Sequence, residues 1–342
     1  MNVQEATTRR LPDLKERHLP ENCRETINTI LKETYGYEQF RNLEIYDDLS
    51  KGKEKLCISQ GQLIENVILE AEKAWKSETQ VDNILLTAPT GSGKSLLFQL
   101  PAIYLGKEYN LLTIVVSPLK ALIVDQVESL QELGYARVAY ASSDLSPEQK
   151  MEVYRQVREG EIDLFYLSPE LLLSYDIKHF VGERRIGLVV VDEAHTVTTW
   201  GKEFRVDYWF LGRYLTALKQ TLGYNFPLFA LTATAVWNPK GGNDMIFETI
   251  RSLQMEPCVL YVGGGCAGRG LPGRTQDIAL LSFCGWHRHA LEDVGEAGRL
   301  ASGGFLLWQE GKGTESCHCA GVQGRDQETD CGYESLWYGS GH

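Results

Sequence analysis

The sequence lacks a long apolar run, and its N-terminus lacks the apolar segment of a secretory signal. A membrane-spanning helix needs roughly 18 to 20 consecutive apolar residues, and no stretch of the chain approaches that length. The first residues, MNVQEATTRRLPDLKERH, are mostly polar and charged, unlike a cleaved signal peptide. These absences predict a soluble, cytoplasmic protein without a membrane partner.

A surplus of positive charge is also missing, since 46 acidic residues stand against 34 basic ones and the net charge is -12. This excludes a basic surface over the whole molecule, but it does not exclude a local basic groove for nucleic acid. Before residue 263, cysteine is limited to Cys23, Cys57 and Cys258, which are isolated and do not change the expected compartment. A chain of 342 residues can hold one large or two ordinary domains.

Two regions of ordinary composition occupy the first three quarters of the chain. Residues 1–55 form a small helical segment, in which Ile27, Ile30 and Leu31 have the spacing of one helix face and DDLSKGKEK is typical of a loop. Residues 56–262 alternate apolar runs, such as NILLTA, LLTIVVS and IGLVVVD, with stretches of helical spacing. Continuous apolar strands separated by helices predict an α/β domain with a mostly parallel, doubly wound sheet.

One helix start is marked in the stretch SPEQKMEVYRQVREG. Ser146 is placed as the N-cap, Pro147 occupies the first helical position and Gln149 is placed for a capping box. The pattern predicts a helix that begins directly after Ser146.

Residues 263–342 have a different composition, which begins abruptly at YVGGGCAGRGLPGR. They hold 18 of the 33 glycines, five of the eight cysteines and three of the seven tryptophans, but a single lysine. Flexible glycine-rich tails are normally poor in Trp, Cys and His. We interpret the segment as an irregular tail, disordered or out of frame, with the reading frame lost near Gly263 or the sequence chimeric there. The alternative is a genuine but unusual extension.

A phosphate-binding loop is indicated by TAPTGSGKS, which lies between an apolar strand and a helix. Gly91 and Gly93 let successive backbone N–H groups face one anion, and the following helix adds the partial positive charge of its N-terminus. Lys94 can reach the β- and γ-phosphates, and Ser95 can ligate magnesium. The usual first glycine is replaced by Ala88. The loop residues expected around the nucleotide are Thr90, Gly91, Ser92, Gly93, Lys94 and Ser95.

An acidic pair ends the apolar run GLVVVDE about a hundred residues later. A phosphate loop needs an acidic residue at the end of another strand to hold magnesium, and Asp192 has that place. Glu193 can orient and deprotonate the attacking water. His195 can connect this turn to groups that sense the γ-phosphate.

Taken in order, the motifs of residues 56–236 resemble those of superfamily 2 helicases and, among these, the RecQ family. TAPTGSGKSLLFQLPAI resembles motif I, VVSPLKALIVDQV motif Ia, VVVDEAH motif II and LTATA motif III. The resemblance implies a RecA-like fold, ATP and magnesium as cofactors, and single-stranded or partly duplex DNA as partner. It also implies that Ser117 contacts DNA, and that Thr232 and Thr234 couple hydrolysis to the DNA track.

The RecQ assignment depends most on the residues after motif II, which match the family pattern W-G-x-x-F-R-x-x-Y. Bases stack on aromatic rings with about 1–3 kcal/mol each, and arginine can pair with a phosphate or lie on a ring. The resemblance therefore implies a DNA-sensing loop, although Val206 replaces the usual proline. Its DNA-binding residues are Trp200, Phe204, Arg205 and Tyr208, whereas Trp209 and Phe210 are expected in the core.

Adenine recognition in the family uses a glutamine in a GQ dipeptide shortly after FR. Here QFR, which contains Arg41, is separated from QGQLIENVI by about twenty residues. Gln62 has the matching downstream context, while Tyr37 and Arg41 are weaker candidates. The insertion leaves the arrangement of these residues open.

After Val262 the sequence shows no second RecA-like lobe, which in this family supplies an arginine finger that accelerates phosphoryl transfer by about 10³–10⁵. We therefore expect the motor lobe of a RecQ-like ATP-dependent DNA helicase, with 3′–5′ polarity implied by the family, that does not unwind DNA alone. The missing lobe is expected in the full-length protein. The alternatives are a nucleotide-dependent module that binds DNA or recruits a partner, and a translocase on duplex DNA. Zinc is not expected, because the spacing of the tail cysteines and histidine is unsuitable: Cys317, His318, Cys319 and Cys331.

Overall fold

A computed structural model of the chain describes residues 8–9, 18–46, 55–78, 80–199, 206–233 and 245–263. Predictions for Trp200, Phe204, Arg205 and Thr234, for the side chains of Tyr208 and Trp209, and for the tail after Gly263 lie outside these residues. None of the described helices combines the length and the apolar character that a membrane crossing requires.

The core of the fold is an eight-stranded sheet in which every pair of neighbouring strands is parallel. The described strands are β1 (Thr8–Arg9), β2 (Asn42–Tyr46), β3 (Lys55–Ser59), β4 (Asn83–Thr87), β5 (Leu112–Val116), β6 (Val138–Ala141), β7 (Leu164–Leu167), β8 (Ile186–Val191), β9 (Leu228–Thr232) and β10 (Cys258–Val262). Their order in the large sheet is β1-β10-β4-β9-β8-β5-β7-β6, while β2 and β3 form a separate pair.

Helices cover both faces of this sheet. The described helices are α1 (Glu21–Tyr35), α2 (Gln60–Trp75), α3 (Leu96–Tyr109), α4 (Lys120–Glu132), α5 (Pro147–Arg158), α6 (Pro169–Ser174), α7 (Ile177–Val181), α8 (Thr196–Thr199), α9 (Val206–Leu222) and α10 (Met245–Ser252). Buried residues of α1 to α4 share one apolar cluster with one face of the sheet. Those of α5 to α10 share a second cluster with the other face. The predicted α/β architecture, a doubly wound parallel sheet, is confirmed.

Two local predictions of helix structure are confirmed as well. Ile27, Ile30 and Leu31 are the buried residues of α1. At the start of α5, Ser146 Oγ accepts from the backbone N–H of Gln149 at 3.2 Å, and the Gln149 side chain accepts from Ser146 N at 2.8 Å. The capping box therefore satisfies two N–H groups that a helix start would otherwise leave unpaired.

An antiparallel hairpin, formed by β2 and β3, was not predicted from the sequence. Its register pairs Asn42 with Ser59 at the base and Tyr46 with Lys55 toward the tip. It falls across the expected boundary between residues 55 and 56, and Lys55, assigned to a loop, begins β3. The signal was weak, because NLEIY and KLCIS are short and each mixes exposed with buried residues.

The hairpin brings its two ends together beside the first turn of α2. The backbone N–H of Gln60 donates to Arg41 O at 2.9 Å, and Arg41 N donates to Gln60 Oε1 at 3.2 Å. The residues that precede and follow the insertion are therefore neighbours in space. The insertion therefore does not separate the two parts of the family pattern, and buried residues of β2 and β3, such as Ile45 and Ile58, belong to the core of the domain.

Candidate nucleotide site

The candidate site lies at the carboxyl ends of four neighbouring strands. In sheet order these are β4, β9, β8 and β5. The phosphate loop follows β4, Thr232 ends β9, Asp192 follows β8 and Ser117 follows β5. Parallel strands end at the same edge of a sheet, and in open α/β sheets ligands bind at that edge. Motifs that lie over a hundred residues apart in sequence are thus brought to one place.

Two glycines shape the phosphate loop by adopting left-handed backbone conformations. Gly91 has a φ of 80° and Gly93 a φ of 77°, values that other residues adopt only with strain. A Cβ at Gly93 would lie 2.7 Å from the side-chain nitrogen of Gln60, whereas a Cβ at Gly91 would meet nothing within 4 Å. The loop leads into α3, a 14-residue helix. This curled backbone at a helix N-terminus fits an anionic phosphate group.

Lys94 and Ser95 occupy the end of the loop. Lys94 Nζ donates to the carbonyl oxygens of Ala88 at 3.1 Å and Pro89 at 3.2 Å. Its charge also favours the ionised forms of the two acidic residues after β8, against the effect of burial on their pKa values. Ser95 makes no capping hydrogen bond with its side chain. Its hydroxyl is therefore not used to start α3, which agrees with a role toward a metal ion.

Asp192 is a buried carboxylate, with only 5% of the residue exposed. Burial, followed by the charge of Glu193, raises its pKa to about 6. Glu193 N donates to Asp192 Oδ1 at 2.9 Å, and Gln126 Nε2 donates to Asp192 Oδ2 at 3.3 Å. These two bonds and the charge of Lys94 favour the ionised form but do not outweigh burial. A divalent cation would relieve the cost of this charge, which fits the predicted magnesium ligand.

Glu193 is held in an unusual backbone conformation. Its φ is 49°, in the left-handed region that costs a residue with a side chain of this size about 1–3 kcal/mol. Its carboxylate lies 3.2 Å from His195 Nδ1. Burial alone would raise the pKa of Glu193, but the hydrogen bond and charge of His195, together with Lys94, hold that pKa below its usual value. Glu193 is therefore ionised and oriented at the end of β8.

His195 connects the acidic turn to the neighbouring strand. Its Nδ1 lies 3.0 Å from Thr232 Oγ1, and Thr232 is completely buried at the end of β9. The backbone also joins the two elements, since Ala194 N donates to Leu231 O at 2.9 Å. The contact joins the two motifs, and the linking roles expected of His195 and Thr232 stay predictions.

Burial bears on two predictions about individual side chains and corrects one of them. Ser117, expected to contact DNA, is 1% exposed at the end of β5, and its DNA contact stays a prediction. Phe210, expected in the core, is 47% exposed on α9. Leu211, Leu215 and Leu218 of α9 face the core, and Phe210 lies outside this stripe.

Gln60 contacts the phosphate loop, although the sequence pattern pointed to Gln62. The Gln60 side chain is almost fully buried and donates to Ser92 O at 2.9 Å while accepting from Arg41 N. It thereby connects the residue before the hairpin to the loop. The stretch QGQ contains both glutamines, and only the spacing to FR, which the insertion obscures, could have distinguished them. Gln62 is half-buried in the first turn of α2, and its adenine role stays a prediction.

A divalent cation at this edge would depend on few protein ligands. Within the described ranges, no group of three or more His, Cys, Asp and Glu side chains has the geometry of a metal site. Magnesium bound with a nucleotide takes one or two protein oxygens and completes its shell with phosphates and water. Ser95, after the β4 loop, and Asp192, after β8, lie at the same edge of the sheet and suit that donor set. The tail residues considered for zinc lie outside the described part of the chain.

Comparisons with known proteins agree with these motifs. The profile of the family described as DEAD/DEAH box helicase matches residues 69–240, which are 172 of the 342 residues. ATP-dependent DNA helicase RecQ of Haemophilus influenzae is 30% identical over 70% of this chain and 32% of its own length. RecQ of Synechocystis sp. is 35% identical over 62% of this chain and 38% of its own length. The solved structure of DUF1998 helicase MrfA bound to DNA is 21% identical, with a TM-score of 0.48 over 73% of this chain and 31% of that chain.

The chain spans about a third of the length of these relatives. The resemblance to RecQ helicases is confirmed by the two bacterial relatives. The matched range contains the phosphate loop, the acidic turn and Thr232. These three elements lie at the same edge of the sheet. The chain belongs to the DEAD/DEAH box helicase family.

Proposed function

We propose that residues 56–262 form the ATP-binding motor lobe of a RecQ-like ATP-dependent DNA helicase. The observation that carries this proposal is the meeting of the phosphate loop, Asp192, Glu193 and His195 at one sheet edge. A Gly-rich turn or a solvated acidic loop would explain either motif alone. Neither explains why a buried, energetically unfavourable carboxylate lies within the electrostatic influence of the loop lysine.

In this proposal the protein binds ATP with magnesium. Backbone N–H groups of the loop and Lys94 hold the phosphates, while Ser95 and Asp192 hold the cation. Magnesium, when bound, neutralises charge that develops on the phosphate oxygens. Glu193 accepts a proton from the attacking water, and His195 keeps Glu193 oriented and ionised. Gln62 contributes to adenine binding.

The DNA partner is proposed from the RecQ relatives and from the aromatic stretch after the DEAH turn. In the sequence, Trp200, Phe204 and Arg205 fall between α8 and α9, and Tyr208 is the third residue of α9. All four follow the acidic turn within 16 residues. A loop so close in sequence to the hydrolytic residues can transmit DNA occupancy to them. The 3′–5′ polarity comes from the family resemblance alone.

Substitution of two site residues tests the nucleotide part of the proposal. Lys94→Ala should weaken ATP binding by roughly 10–100-fold, the usual effect of losing a hydrogen bond to a charged group. Glu193→Gln should keep binding and lose turnover, because the amide cannot accept the proton. Lys107→Ala, at the exposed opposite end of α3, is the matched control and should change neither quantity. Equal ATP affinity in Lys94→Ala and Lys107→Ala would contradict the assignment.

Strand separation requires a second lobe to close over the nucleotide and supply an arginine finger. The large sheet described here accounts for one RecA-like lobe. We therefore propose that the 342-residue chain alone does not unwind DNA and that residues 263–342 do not replace the second lobe. An unwinding assay with the purified chain tests this, and measured strand separation would refute it. DNA-stimulated ATP hydrolysis, assayed with the second lobe supplied, separates a helicase from a binding module that does not turn over.

A further inference from the structure

A chain of side-chain hydrogen bonds links the end of α1 to the acidic turn. Tyr35 OH donates to Gln99 Oε1 at 3.3 Å, and Gln99 Nε2 donates to Tyr166 OH at 3.2 Å. Tyr166 OH donates to Gln126 Oε1 at 3.1 Å, and Gln126 Nε2 donates to Asp192 Oδ2 at 3.3 Å. We call these five residues the relay. It connects segments that lie up to 157 positions apart in the sequence, from residue 35 to residue 192.

The relay runs through the buried interior of the domain. Gln99 on α3 is 5% exposed, Tyr166 on β7 is fully buried, and Gln126 on α4 is 7% exposed. Burying a polar side chain costs free energy unless it is hydrogen-bonded, and replacing these groups by apolar ones would remove that cost. Three consecutive buried polar side chains between an apolar sheet and its helices therefore need an explanation beyond packing.

The direction of the donors along the relay follows from its last member. An ionised carboxylate accepts only, so Gln126 must present its amide nitrogen to Asp192 and its oxygen to Tyr166. Tyr166 then donates to Gln126 and accepts from Gln99. Gln99 in turn presents its oxygen to Tyr35. Each of the two amides therefore has one orientation in which all hydrogen bonds of the relay form. That orientation is determined by Asp192, which can only accept.

We propose that Gln126 is a positioning residue for the Asp192 carboxylate and that Tyr166, Gln99 and Tyr35 keep Gln126 oriented. Asp192 Oδ1 is held by Glu193 N, and Oδ2 is held by Gln126. With one donor on each oxygen, the plane of the carboxylate is defined, and each oxygen keeps a lone pair for a cation. Without Gln126 the carboxylate can rotate about its last bond. The inference rests on the proposed function in one respect, namely that Asp192 helps to hold magnesium.

The magnesium dependence of nucleotide binding tests the relay. A fluorescent non-hydrolysable ATP analogue is titrated against the full chain, first in EDTA and then with increasing Mg²⁺. Gln126→Met keeps the side-chain volume but removes the donor, and should raise the half-effective Mg²⁺ concentration by about 10–100-fold, as loss of a partner of a metal ligand does. Binding in EDTA should stay unchanged. Tyr166→Phe should raise the half-effective Mg²⁺ concentration by a smaller factor. The double variant Gln126→Met/Tyr166→Phe should raise it no further than Gln126→Met alone.

The matched control is Tyr135→Phe. Its hydroxyl donates to the buried carboxylate of Asp163 at 2.7 Å, so its loss removes a comparable bond outside the relay. The control should keep the magnesium dependence of the wild type. A wild-type magnesium dependence in Gln126→Met overturns the inference, as does an equal rise in Tyr135→Phe. If the wild type binds the analogue without any magnesium effect, the proposed function fails, and the next measurement still decides the relay.

Unfolding in the absence of metal and nucleotide gives the second measurement. Gln99 and Asp192 make no direct hydrogen bond to each other, and the relay joins them through Tyr166 and Gln126. The effects of Gln99→Met and Asp192→Asn on the unfolding equilibrium constant should be non-additive by at least about twofold, the smallest coupling that such cycles resolve. Tyr135→Phe combined with Asp192→Asn should be additive. Additivity in both cycles overturns the relay.

Discussion

Replacing Asp192 with asparagine should stabilise the metal-free protein at neutral pH, because burial makes the carboxylate the costly form. The pKa of Asp192 rises from an ordinary 3.8 to about 6 on folding, mainly through burial and then through the charge of Glu193. A carboxyl group whose pKa is raised in the folded state binds its proton more tightly there than in the unfolded chain. The free energy of unfolding therefore falls as the pH increases from about 3.8 to about 6.

The magnitude follows from these two pKa values. At about 1.4 kcal/mol for each pH unit, the interval from 3.8 to about 6 corresponds to about 3 kcal/mol of lost stability at pH 7. Asparagine carries no charge and avoids this loss, but its single acceptor oxygen cannot serve both Glu193 N and Gln126 Nε2. Leaving one of these donors without its acceptor costs about 1–3 kcal/mol. The net gain for Asp192→Asn at pH 7 is therefore expected between about 0 and 2 kcal/mol.

Urea unfolding of both proteins in EDTA at pH 5 and pH 8 separates the two contributions. The hydrogen-bond cost is the same at both values, whereas the ionisation cost grows mainly between pH 5 and pH 6. The stability of Asp192→Asn relative to the wild type should therefore increase by about 1.4 kcal/mol from pH 5 to pH 8. The pKa of Glu193 is held below its usual value, so Glu193 stays ionised throughout this range. A difference that does not change with pH, or that falls as pH rises, would refute the reasoning.

Three further predictions concern the loops and helix ends. Trp200→Ala should keep ATP binding and abolish any stimulation of ATP hydrolysis by single-stranded DNA; unchanged stimulation removes the proposed role of the aromatic loop. Ser146→Ala should lower the free energy of unfolding by about 1 kcal/mol, measured in urea, because it removes the capping box of α5. Gly93→Ala should weaken nucleotide binding more than Gly91→Ala, since both glycines have a positive φ but only a Cβ at Gly93 would lie 2.7 Å from the Gln60 side chain. Equal affinities of these two variants would show that Gln60 does not support the loop.

The β2–β3 hairpin illustrates why part of the site was not predictable. In the sequence, Arg41 and Gln60 are separated by 18 residues that match no family pattern. Only the pairing of Asn42 with Ser59 shows that the insertion closes on itself. Cross-strand pairing depends on register between distant positions, which single-sequence periodicity does not report. The choice between Gln60 and Gln62 as the glutamine that contacts the phosphate loop was decided by this closure.

Burial was the second property that the sequence could not supply. Phe210 was assigned to the core from its apolar character, and the structure reverses its expected exposure. Ser117 was assigned to DNA from its motif, which did not indicate that the residue is buried. A family pattern records which residue types recur at a strand end, but not which way each side chain points there. The hydrogen-bond partners of Asp192 could not be predicted from the sequence for the same reason. Gln126 belongs to a recognisable motif, yet its contact with Asp192 depends on how α4 packs on the sheet.

The sequence by itself determined the fold class and predicted the chemistry of the site. Apolar runs separated by helical stretches suffice for a parallel sheet, and the phosphate loop and DEAH motif are local patterns whose spacing carries their chemistry. The tertiary structure alone decided which groups act on one another: Gln60 on the loop, His195 on Thr232, and Gln126 on Asp192. Such contacts join residues that the chain separates by 32 to 66 positions. They exist because neighbouring parallel strands end at one edge, where burial turns ordinary carboxyl and amide groups into a connected polar network.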